Sequence, residues 1–120
     1  MNIALWILQG LLAAAFTGAG LMKLAKTKTQ LIADPRMGWA ADFAPGTIKL
    51  IGLAEVLGAA GLILPMALAI APQLTAAAAA GEAVLMLGAA ATHARRKEPP
   101  FVPAVLAVLA IAVVIGRWPF

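Results

Sequence analysis

Charged and apolar positions separate into blocks along this chain. Residues 3–22, 48–70, 74–91 and 101–116 are almost wholly apolar, and most of the charged side chains fall between them. A helix crossing a bilayer needs about 20 apolar residues, with about 17–25 the usual range. The first three stretches meet that length. The fourth is slightly short, and is extended by Pro103 in its first turn and by Gly116 and Trp118 at its exit. Pro65 predicts a bend near the end of the second stretch, and Ala71-Pro72-Gln73 leaves room for only a tight turn before the third. The pattern predicts an all-α protein, an integral membrane four-helix antiparallel bundle with a short interfacial segment between helices 1 and 2. It forms a single four-span domain over residues 1–120. Within the first connection, Pro35, Gly38, Pro45 and Gly46 break regular structure, while Trp39 and Phe43 suit the membrane interface. A short interfacial helix over 37–43 is expected there, plugging the cytoplasmic end or serving a partner or substrate.

Composition makes lipid part of the solvent. Apolar residues are 63% of the chain and charged residues 12%, whereas soluble domains carry about 25% charged residues. The formal charge of +4 points to no nucleic acid, because the basic residues cluster at helix ends. Lys23, Lys26, Lys28, Arg36 and Lys49 flank the first connection, and Arg95, Arg96 and Lys97 fill the third. Only Arg117 lies at the other side, so the basic connections should be cytoplasmic and both termini outside. The opening segment has the apolar core of a signal peptide without a basic start, and is expected to be retained as the first helix. With no cysteine and a single histidine, disulfides, thiolate catalysis and a multi-histidine metal site are excluded.

Two carboxylates break the apolar blocks. Glu55 lies in the second and Glu82 in the third, roughly 9 Å and roughly 16 Å inward from the basic interface at the helical rise per residue. An ionisable group at such depth faces the interior and needs a partner, which marks both as candidates. Lys23, closing the first stretch, has a stem long enough to reach Glu55, and His93 closes the third at headgroup level. Lys23, Glu55, Glu82 and His93 are thus the candidate site for a lipophilic ligand or quinone, with no metal assigned. Each also has a structural reading: Glu55 as an interhelical tie to Lys23, Glu82 as a neutral tie, His93 as an interfacial residue. Gln9 and Thr17 add polar capacity on the first helix. Small residues supply packing faces, Gly52 with Ala59 in the second stretch and Ala77, Gly81, Val84 and Gly88 in the third. No nucleophilic triad, phosphate loop or dinucleotide fingerprint is present, so no catalytic residue is assigned.

At these same residues the chain resembles the DoxX-like family of small bacterial four-span membrane proteins. The likeness rests on Phe16, Gly20, Lys23 and Leu24 in an F-x-x-x-G-x-x-K-L pattern and on GLAEVLGAAGLILP at 52–65. MLGAAATHARRKE at 86–98, with Gly88, His93 and Arg96, completes it. It implies a bacterial inner-membrane location. Relatives act as the membrane subunit of a thiosulfate:quinone oxidoreductase or as partners in oxidative-stress complexes, and a quinone site around Glu55 and Lys23 would suit that ancestry. Three functions are expected in descending order: a non-catalytic accessory subunit binding a protein partner, another copy or a lipophilic ligand; a quinone-interacting subunit; and a small oligomeric transporter. Reporter fusions at the two termini test the orientation. Both are expected to report the outside, and a cytoplasmic C-terminus overturns it.

Overall fold

The computed structural model describes residues 2–117, apart from the side chains at 35 and 36, so the expected exit residue Trp118 lies outside the described residues. The chain is all-α. Helix α1 runs Asn2–Ala25, α2 Lys28–Ile32, a 3₁₀ helix Pro35–Asp42, α3 Pro45–Ala67, α4 Leu74–Arg95 and α5 Phe101–Gly116.

The expected four-helix antiparallel bundle with one short interfacial segment is incorrect on two counts. Six helices are present among the described residues, and three of them, α1, α3 and α4, are long and apolar enough to cross a membrane. Helix α5 has 16 residues, which at 1.5 Å each is about 24 Å against a hydrocarbon core of about 30 Å. The first connection, moreover, holds two helical elements. Thr27 and Gln30 start α2 with a reciprocal capping box: the Gln30 N–H donates to Thr27 Oγ1 (3.1 Å) and the Thr27 N–H to Gln30 Oε1 (2.9 Å). The following 3₁₀ helix is kinked at Met37, where φ −108° and ψ 18° depart from helical values.

Helical spacing sets the buried faces. On α1 the buried residues are Gln9, Leu12, Phe16, Gly20 and Lys23, and on α3 they are Ile48, Gly52, Glu55, Ala59 and Leu62. These two stripes meet. A Cβ at Gly20 would lie 2.6 Å from the Gly52 carbonyl oxygen, and one at Gly52 2.8 Å from Lys23 Cβ, so the helices cross backbone to backbone. Helix α4 approaches α3 in the same way where Gly61 meets Ala78. The stripe Ala77, Gly81, Val84 and Gly88, expected as a packing face, is instead exposed. Helix α4 packs through Ala76, Ala79, Glu82, Ala83 and Met86, the face that turns its one carboxylate inward.

Both ends of the α3–α4 pair are closed by non-glycine residues in the left-handed region. Ala69 (φ 53°) ends α3, with the Ile70 N–H donating to the Pro65 carbonyl. Lys97 (φ 58°) ends α4, with the Glu98 N–H donating to the His93 carbonyl. The second closure folds Glu98 back toward His93. The contact at Gly20 and Gly52 gives a stability test. Gly20→Val is expected to lower unfolding stability in detergent by about 1–3 kcal/mol through overpacking, whereas Gly10→Ala, with open space around its Cβ, is expected to leave it unchanged.

Candidate functional site

Two helices bring opposite charges to one region of the interior. Helix α1 supplies Lys23, α3 supplies Glu55, and their close crossing is what allows the two to meet. Lys23 Nζ lies 2.7 Å from Glu55 Oε1, with the side chains 9% and 1% exposed. The contact is a buried ion pair. The Trp39 ring covers the ammonium from the other side, 5.5 Å from Nζ to its centroid, a cation–π contact. Phe43 braces Trp39 edge to face, centroids 5.8 Å apart.

This ion pair lines a cavity of about 520 Å³. Phe16, Ile51, Met86 and Leu106 form apolar walls, Met37, Trp39 and Phe43 a roof from the first connection, and His93 and Arg95 stand at its basic end. Val84 and Val102 also border it and are 69% and 71% exposed, so the cavity reaches the apolar flank of the molecule. The volume lies within the range of about 300–1,000 Å³ typical of small-molecule sites.

The four candidate residues are not brought together equally. Lys23, Glu55 and His93 line the cavity. Glu82 is buried but is not among its lining residues; its carboxylate lies against Gly58 on α3, where a Cβ would overlap it. His93 turns to the linker's side of the site, its Nδ1 3.1 Å from Glu98 Oε1. Arg96 continues that network, donating through Nη1 to Asp42 Oδ1 at 2.8 Å and through Nε to Glu98 Oε2 at 3.4 Å. The hydrogen bond to Asp42 holds the Arg96 guanidinium above its ordinary range. Asp42 closes the 3₁₀ helix, so these contacts fasten the roof to the end of α4.

Three further arrangements escaped the sequence reading. Lys49 does not face headgroups: its ammonium donates to the carbonyls of Lys23 (3.1 Å), Leu24 (2.7 Å) and Lys26 (2.8 Å), capping the end of α1. At the opposite end of the molecule, Gln9 Nε2 donates to the Leu62 carbonyl (2.6 Å) and Gln9 Oε1 accepts from Arg117 Nε (2.7 Å). Arg117 also donates to Asn2 Oδ1 (2.8 Å) and lies over Trp6, so it is an internal tie. Only the polarity of Gln9 signalled this cluster. The roof residues Trp39 and Phe43 were visible as interfacial aromatics but not as walls of a cavity.

The family model that matches is described as the DoxX-like family, and it covers residues 7–115. The chain belongs to the DoxX-like family. No curated protein and no solved structure matches it. In this DoxX-like protein the motif residues Gly20, Lys23, Gly52 and Glu55 are neighbours in space: the glycines make the crossing, and the charges pair one turn away.

The pair yields a double-mutant test. Lys23→Met alone strands a buried carboxylate and is expected to cost about 3–5 kcal/mol, and Lys23→Met with Glu55→Leu to recover most of that loss. Additive losses in chemical unfolding would show that the two side chains do not depend on each other.

Proposed function

We propose that this DoxX-like membrane protein is a non-catalytic subunit that holds a lipophilic ligand in the roofed cavity, its polar head at Lys23 and Glu55 and its apolar body toward the exposed flank at Val84 and Val102. The observation that carries this reading is a buried ion pair facing an apolar cavity. Charge in so apolar a setting is costly unless partnered, and here it sits where a ligand's polar atoms would enter. Lys23 is a donor and Glu55 an acceptor, so a head group bearing carbonyl or hydroxyl oxygens suits both. A quinone meets that description, and the quinone-linked role of relatives supports it as the second reading. A transporting role has less support. The buried apolar cluster including Leu12, Ala59, Leu62 and Ala79 lies between the basic-end cavity and the Gln9–Arg117 ties, interrupting a polar path. The density of basic residues at the cavity end favours an orientation with that end at the cytoplasmic face of a bacterial inner membrane.

Mass spectrometry of the protein extracted gently from its native membrane tests the reading. A stoichiometric lipophile is expected on the wild type and is expected to be lost from the Lys23→Met/Glu55→Leu variant while that variant stays folded. A wild type carrying a protein companion and no small molecule would overturn the ligand and leave the pair as a helix-to-helix tie.

A further inference from the structure

Two buried carboxylates share one buried ammonium. Lys23, Glu55 and Glu82 are 7%, 1% and 1% exposed, and Lys23 is paired with Glu55. Glu82 is left over. Its Oε2 has no hydrogen-bond partner, and its carboxylate lies against Gly58, one helical turn along α3 from Glu55.

Among the described residues, the elements around Glu82 bring nothing else that neutralises it. Helix α5 carries no charged or titratable side chain between Phe101 and Gly116. The Lys49 ammonium on α3 is committed to three carbonyls of α1. Asp42, His93, Arg96 and Glu98 form their own network beyond the end of α4. With all three core groups ionised, the cluster would hold one uncompensated negative charge in a medium that solvates it poorly. One proton brings the cluster to neutrality, and the unpartnered oxygen of Glu82 is where it is missing.

We propose that Glu82 holds an exchangeable proton at neutral pH and passes it to Glu55, so that Lys23, Glu55 and Glu82 form a charge-neutral relay that places a hydrogen-bond donor toward the head group in the cavity. This rests on the ligand reading for its last step only. In the first state Glu82 is a carboxylic acid and Glu55 a carboxylate paired with Lys23. In the second, the Glu82 O–H bond has broken, its electron pair has stayed on Glu82, and a new O–H bond has formed on Glu55. Lys23 remains positive, one carboxylate remains negative, and the sum is zero throughout. The transfer therefore changes position, not net charge. It matters because Glu55 lines the cavity and Glu82 does not. A protonated Glu55 becomes a hydrogen-bond donor beside the Lys23 ammonium, aimed at a ligand oxygen.

Infrared difference spectroscopy of the full chain in phosphatidylcholine vesicles tests this, with decylubiquinone as the probe. The chain has five Asp and Glu residues in total, so carboxyl bands are assignable by substitution. A protonated-carboxyl band is expected at neutral pH in the wild type, lost in Glu82→Gln, and shifted when the probe binds to the wild type. If Glu82→Gln does not fold, Glu82→Asp replaces it, with a displaced band expected. Absence of the band in the wild type, or its survival in Glu82→Gln, overturns the proton on Glu82. Probe retention is read separately by mass. Retained probe with an unmoved band overturns the relay while the ligand reading stands. A band at Glu82 with no probe retained overturns the ligand reading and the donor role of Glu55 with it.

Discussion

Charge inside an apolar bundle must be met by charge, and the Lys23–Glu55 pair is where this chain answers that demand. Both side chains are limited in reach, so the helices that carry them must lie close together. Gly20 and Gly52 provide the closeness, each one turn from the charged residue of its own helix, and neither leaves room for a Cβ. The α1–α3 crossing and the ion pair are therefore one feature. Separating the helices would leave the ammonium and the carboxylate each alone in a medium that solvates neither.

From that crossing the rest of the architecture follows in two directions. Toward the basic end a cavity opens beside the pair, and Trp39 and Phe43 from the first connection close over it. The roof is fastened by Arg96 and Asp42 rather than by burial alone. Toward the opposite end lie Glu82 against Gly58 and then Gln9, whose amide satisfies a backbone carbonyl on α3 and the Arg117 guanidinium together. Glu82 extends the polar groups of the basic end as far as Gly58, and the buried apolar cluster that includes Leu12, Ala59 and Leu62 separates them from Gln9.

Much of this was legible in the residues. The apolar blocks gave the helical class and the membrane setting, and the depth of Glu55 marked it for a partner that Lys23 could reach. The crossing count was overstated: block 101–116 read as slightly short but was credited with flanking residues to complete a span, whereas α5 has 16 residues. The first connection was misread for a different reason. Its proline and glycine content drew attention to residues 37–43, while the Thr27–Gln30 capping box, a local hydrogen-bonding signal, was passed over. The exposed stripe of α4 shows the limit of small-residue patterns: Ala77, Gly81, Val84 and Gly88 have the spacing of a packing face, but which side of a helix turns inward was settled by Glu82 and Met86. The roles of Lys49 and Arg117 depend on partners far away in sequence, and a charge count treats both as surface residues.

The cap that Lys49 places on α1 has a mechanical consequence for the roof. Its three hydrogen bonds join the start of α3 to the end of α1 and to Lys26, just before the first connection begins. The two ends of that connection are thereby pinned side by side, so the roof is a closed loop tied at its base. Leu31 and Ala40 from the loop are buried with Ile48 of α3, which anchors its middle as well.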